Sequence, residues 1–255
     1  MKSTIRLLLP VAALVALAGS PATASFGEIA ASFPAPAPKP IALTWADGSL
    51  YCFCQTDPYL FWEIGPANGK VLGSFRFGRT AADTAGLAHD GKYFWAGNTE
   101  TDYIYRFEWG GSVASSFKVN WDFGQGLTWS GLHLWATEIG TKWSHGYYQM
   151  RVDGKVIRSY TSFYELFDPA WDGENLWTGE YDDISEDYRV VGFDPVRGTV
   201  VGSFASPADE PWGAAYDGRY LWLSTASGDG RLWKIDIRGV GVEPQSLGRV
   251  KTLFR

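Results

Sequence analysis

Apolar and polar positions along this chain alternate in short runs, each closed by Gly, Asp, Asn or Pro. One full cycle is visible at residues 86–119. Gly86–His89, Tyr93–Asn98, Tyr103–Trp109 and Ser112–Val119 each alternate, and they are separated by Asp90-Gly91, the polar stretch Thr99–Asp102 and Gly110-Gly111. A period of two between turn residues predicts strands, because successive strand side chains point to opposite faces. The two Gly-containing breaks predict tight hairpins, since Gly takes positive φ without penalty.

The cycle recurs. The phrase Gly-Leu-x-x-Asp-Gly-x-x-Leu-Trp appears as Leu43–Cys52, Gly86–Trp95, Gly126–Trp135, Pro169–Trp177 and Gly213–Trp222. A second phrase, Gly-x-Val-x-x-Ser-Phe, follows in step and ends at Phe75, Phe117, Tyr160 and Phe204, with one isolated copy at Gly27–Phe33. Units of about 42 residues, each reading as four strands (a to d, innermost to outermost), have the period and content of propeller blades. A lone blade cannot bury its faces, so blades stack around an axis. The expectation is an all-β propeller of four-stranded blades, five in number with six as the alternative, over residues 25–255. The isolated strand Gly27–Phe33 is expected to close the ring as the outer strand of the last blade. The tail Gly248–Phe254 competes for that place.

Composition fits this architecture. The 255 residues include 13 Trp, 13 Tyr, 15 Phe and 30 Gly, rich in strand and turn formers. A formal charge of −6, with no Lys/Arg tract, argues against a nucleic-acid surface. Met1–Ala24 has basic Lys2 and Arg6, an apolar Leu7–Gly19 stretch and the small-x-small end Ala22-Thr23-Ala24, which together predict an export leader cleaved after Ala24. The expected product is secreted or periplasmic and monomeric, with no membrane span after cleavage. Cys52 and Cys54 stand two apart on one predicted strand face, a spacing near the upper Cα limit for a disulfide, and are expected as small core residues.

The two ends of the ring should differ. The a→b and c→d turns at one end are minimal, whereas the d→a and b→c loops at the other hold more than half of the 28 acidic residues together with Trp121, Tyr164, Tyr181 and Trp212. Function on repeat scaffolds sits on the loop-rich face. An acidic, aromatic face suits a small polar ligand, a glycan or a protein partner. No cofactor is firmly implied. Asp182, Asp183, Glu186 and Asp187, in the densest acidic loop, are candidate calcium ligands, although they lack the spacing of an EF-hand. Aligning the repeats places Gln55, Asn98, Glu138, Glu180 and Thr225 at one position near the end of strand b, where they are expected to ring the channel mouth. Glu138 and Glu180 are also the candidate catalytic pair, since neighbouring carboxylates can divide acid and base roles. The leading reading is an exported binding module. The alternative is an enzyme at the mouth, a lyase or hydrolase using those two carboxylates, or a cyclotransferase.

The repeat unit resembles secreted bacterial propellers of the broad NHL/YVTN-like and TolB-like type. Two segments are similar to the glutaminyl-peptide cyclotransferases. Phe123-Gly-Gln-Gly-Leu127 with Leu134-Trp-Ala-Thr-Glu138 is similar to that family's Phe-Thr-Gln-Gly-Leu…Leu-x-Glu-Ser, although here it lies in the third repeat. Pro211-Trp-Gly-Ala-Ala-Tyr-Asp-Gly218 is similar to its Trp-Gly-Leu-x-x-Asp-Gly. The resemblance implies five blades, with Gln125, Glu138 and Trp212 at an active-site mouth. It also implies that Glu138 handles protons while a substrate amine attacks its own side-chain amide.

Overall fold

The computed structural model describes residues 26–77, 83–121, 123–138, 145–238 and 251–252. The leader and most of the tail Gly248–Phe254 lie outside them, as does the side chain of Gln125. The chain opens with β1 (Glu28–Pro34). The first blade comprises β2 (Pro40–Ala46), β3 (Ser49–Cys54), β4 (Leu60–Ile64) and β5 (Val71–Arg76). The second comprises β6 (Thr84–His89), β7 (Phe94–Asn98), β8 (Tyr103–Phe107) and β9 (Val113–Lys118). The third is β10 (Phe123–Trp129), β11 (Leu134–Glu138), β12 (His145–Met150) and β13 (Val156–Ser162). In the fourth, the inner strand is split into β14 (Glu165–Leu166) and β15 (Ala170–Trp171), followed by β16 (Leu176–Asp182), β17 (Asp187–Asp194) and β18 (Thr199–Ala205). The fifth holds β19 (Gly213–Tyr216), β20 (Leu221–Thr225) and β21 (Arg231–Asp236), and β1 completes it by pairing antiparallel with β21. The chain is therefore a five-bladed propeller closed by its N-terminal strand. The tail does not compete for that place: β22 (Lys251–Thr252) pairs with the outer edge of β13 in the third blade.

The first repeated phrase encodes a side-chain bond. In the second blade the Asp90 carboxylate accepts the Lys92 and Tyr93 amides on one oxygen and the Trp95 indole N–H, at 2.9 Å, on the other. Asp172 does the same for Trp177, and Asp217 for Trp222 at 2.9 Å. The turn from Asp90 to Tyr93 thus spans four residues, closed by the Asp90 N–H to the Tyr93 carbonyl, rather than the two-residue hairpin expected. A turn of that kind is found at Asp47-Gly48, where Ala46 pairs with Ser49 and both turn residues have positive φ. The connection is no shorter, with four residues between Trp45 and Leu50 as between His89 and Phe94, but its Asp-Gly pair stands one residue later: Leu43 pairs with Cys52 as Leu87 pairs with Ala96, so Tyr51 holds the place of Trp95.

The second phrase encodes contact between blades. Gly154, at φ 84°, lies so close under Phe117 of the preceding blade that a Cβ would strike the ring. Both the positive φ and the contact require Gly there. Gly27 sits in the same way against Phe204, and Gly69 against Phe33, so β1 carries both halves of the interlock across the closure. The thiols of Cys52 and Cys54 are buried on one face of β3, hydrogen-bonded at 3.8 Å and not joined in a disulfide.

At the axis the inner strands nearly touch, and a Cβ at Gly126 would collide with Asp168 and Pro169. Asp168 stands where three other repeats have Gly86, Gly126 and Gly213. It is fully buried. Its carboxylate accepts the Leu43 N–H at 3.0 Å and the Leu127 N–H at 2.7 Å, and it is also bonded by the Leu87 and Ala214 amides. One side chain from the fourth blade thereby ties the inner strands of the other four. Burial pushes its pKa up, and the four N–H donors oppose that rise. Asp168 is thus an internal strut.

Candidate functional site

The d→a and b→c connections meet at one end of the ring, and the third and fourth blades carry its most elaborate chemistry. Parity along each strand decides which way a side chain faces. Ala136 pairs with Tyr148 and Glu138 with Gly146, so Glu138 and Tyr148 share a face of the third blade. The Tyr148 hydroxyl donates to Glu138 at 2.7 Å, and burial raises the Tyr148 pKa. Trp121, arriving from the preceding d→a loop, stacks on Tyr148 with centroids 4.4 Å apart and planes 9° apart. The result is a carboxylate backed by two parallel aromatic rings.

Glu180 occupies the equivalent position in the fourth blade, opposite Arg189. The Arg189 Nε donates to Glu180 at 3.0 Å, while its guanidinium lies 4.4 Å over the Tyr164 ring. Burial pushes the Glu180 pKa up to about 7 against the pull of Arg189. Tyr147, from the third blade, is buried nearby, and its own pKa is raised by burial and then by the Glu180 charge. Trp212 packs on Phe167 at 5.2 Å, at the start of the fifth blade. Its carbonyl accepts the Asp168 N–H at 2.8 Å, which joins this end to the axial strut.

The expected ring of polar residues is regular in four blades. Asn98, Glu138, Glu180 and Thr225 sit at one register position, but Gln55 lies one residue past its equivalent, Cys54, because Asp47-Gly48 stands one residue later in its connection than the other Asp-Gly pairs. Asn98 and Thr225 have local duties. The Asn98 side chain accepts the Thr101 amide and hydroxyl and so caps the b→c turn. Thr225 accepts the Trp233 indole N–H at 3.0 Å. Gln55 is half-buried, with its amide donating to the Lys39 carbonyl. Gln125 lies in β10 at the irregular register between Phe123 and Gly126.

The four calcium candidates are not drawn together: among the described residues no three His, Cys, Asp or Glu side chains converge in a way that could hold a metal ion. Asp182 instead closes its own turn by accepting the Ile184 amide at 3.0 Å, and this bonding lowers its pKa. A cavity of about 300 Å³ opens beside that turn, lined by Asp182, Ser185, Asp187, Tyr188, Arg189 and Ala205.

Sequence reasoning missed the unused donors at this end. Among the described residues, buried groups with no hydrogen-bond partner include the indole N–H of Trp121 and of Trp212, Nη2 of Arg189, the Tyr147 hydroxyl and Nδ1 of His145. Buried polar groups are normally satisfied, and Trp62, Arg106 and Trp135 carry unpartnered nitrogens elsewhere in the ring.

No protein-family model matches the chain, and no curated protein sequence does. Solved structures do. The crystal structure of Myxococcus xanthus glutaminyl cyclase superposes with a TM-score of 0.62 at 13% identity, over 90% of this chain and 98% of that one. Kuenenia stuttgartiensis hydrazine synthase gives a TM-score of 0.47 at 20% identity, over 75% of this chain and 57% of that one. A mitotic checkpoint complex gives 0.46 at 12% identity, over 76% and 62%. At 13% identity the likeness to the cyclase is one of fold.

Proposed function

We propose that this chain is an exported binding propeller whose d→a/b→c end takes a small polar ligand, glycan or peptide rich in acceptor oxygens. The observation that carries this reading is the set of buried, unpartnered donors around Trp121, Tyr147, Arg189 and Trp212. Rings at Trp121, Tyr148 and Trp212 offer flat surfaces, and Glu138 and Glu180 supply the acceptors that orient a ligand's own donors. Calorimetric titration with a panel of oligosaccharides and peptides tests it. Saturable binding is expected, weakened about tenfold by Trp212→Ala. No member binding, or Trp212→Ala binding like the wild type, would refute it. Export belongs to the same proposal, and a secreted chain beginning at Ser25 is its signature.

A second reading is enzymatic. It draws support from the fold shared with a glutaminyl cyclase and from Glu180, whose carboxyl titrates near neutrality as a general base should. Ammonia release from N-terminal glutaminyl peptides, abolished by Glu180→Gln, is its expected result; absence of release removes it.

A further inference from the structure

Two ion pairs at the loop-rich end follow the repeat. In the first blade Arg76, on the outer strand, reaches Asp57 of the b→c loop at 3.5 Å, and in the second Lys118 reaches Asp102 at 3.9 Å. Register makes the two cations equivalent, since Arg76 pairs with Leu60 and Lys118 with Tyr103, each the first residue of strand c. The outer strand of these blades therefore supplies the positive charge for its own loop acid.

In the fourth blade the same position, opposite Arg189, is Ala205. The acids are still there. Strand alternation puts Glu180, Asp182, Asp187 and Arg189 on one face of β16 and β17, with Asp182 directly opposite Asp187. Like charges placed in this way repel. Among the described residues neither aspartate forms an ion pair: Arg189 donates to Glu180 instead, and Asp182 feels it only at longer range. The cavity of about 300 Å³ beside the Asp182 turn is lined by both aspartates together with Ala205, so the small residue and the open space coincide.

We propose that this cavity receives an arginine side chain of a peptide partner, which brings from outside the charge that Arg76 and Lys118 provide from within. The site needs neither Trp121 nor Trp212, so it goes beyond the ligand proposed for the same end. Calcium would need carboxylate oxygens converging to about 2.3–2.6 Å from one point. No such group of three side chains forms among the described residues. Two carboxylates facing each other across a strand pair suit a flat guanidinium, whose donors leave along separate edges, better than the compact ammonium of lysine. Volume agrees with this choice. Ligand pockets begin at roughly 300 Å³, so this one has room for a single side chain rather than a run of sugars.

The test is a calorimetric titration of the full chain with acetyl-arginine amide, acetyl-lysine amide and acetyl-citrulline amide, the last an uncharged isostere of the first. Saturable binding of the arginine probe is expected, with the other two at least about tenfold weaker. Asp187→Asn, at an exposed position, should weaken the arginine probe about tenfold. Leu132→Ser, exposed at the other end of the ring, should bind it as the wild type does. Ala205→Lys recreates the arrangement of the second blade and should abolish binding by filling the place itself. No saturable binding to the wild type, a citrulline or lysine probe equal to arginine, or undiminished binding in Asp187→Asn or Ala205→Lys would overturn the proposal. The comparison of probes on the unaltered chain does not depend on how any variant folds.

Discussion

At the scale of single residues, the repeated phrases are records of hydrogen bonds. Asp90, Asp172 and Asp217 each close a turn and accept an indole N–H from strand b. The third repeat has Ser130 instead, whose hydroxyl donates to the His133 carbonyl, and the buried Trp135 indole N–H has no partner among the described residues. Ser130→Asp should restore the bond and stabilise the protein by about 1 kcal/mol, read as a raised denaturation midpoint. An unchanged or lowered midpoint would deny the Asp its role. Asp168 is the opposite case. Replacing it with Ala orphans four buried N–H groups, each costing about 1–3 kcal/mol, which rivals the whole stability of a typical domain. Asp168→Ala should therefore fail to unfold cooperatively in a denaturant melt. Glu180 gives a pH signature. Its pKa rises from 4.5 to about 7 on folding, so the folded state holds its proton more tightly, and stability falls as pH climbs through that window. The stability of Glu180→Gln, measured against the wild type, should gain between those two pH values and run parallel outside them.

At the scale of elements, β1 is the piece on which closure depends. The Gly27 N–H donates to the Asp236 carbonyl at 2.9 Å, which places the start of β1 at the end of β21 as a hairpin partner would be. Phe33 stacks on Trp222, and its ring covers Gly69 of the first blade. Removing residues through Pro34 should abolish the cooperative melt, because two blade interfaces lose their outer layer. A permutant that joins Arg238 to Phe26 and opens the chain after Pro34 should keep it. Loss of folding in that permutant would contradict β1 as an autonomous closing strand. Strand spacing, blade content and this closure were legible in the sequence because the Asp–Trp and Gly–Phe contacts recur with the blades. The register of the first blade was not, since Asp47-Gly48 stands one residue later in a connection of the same length, which puts Tyr51, not Cys52, in the Trp position.

At the scale of the whole molecule, the two ends of the propeller are built differently. The loop-rich end was recognisable from its acids and rings, but only the folded arrangement separates Glu138 with Tyr148 from Glu180 with Arg189, because loops carry no period to align. The axis was illegible for another reason: its strut joins a side chain to backbone amides, which every residue except Pro possesses. The central claim concerns the loop-rich end, and a crystal of the full chain soaked with mixed oligosaccharides and peptides tests it most directly. The expected result is ligand density whose acceptor atoms reach the indole N–H groups of Trp121 and Trp212 and Nη2 of Arg189. Density confined to other surfaces, or those donors bonded only to the chain's own loops, would contradict it.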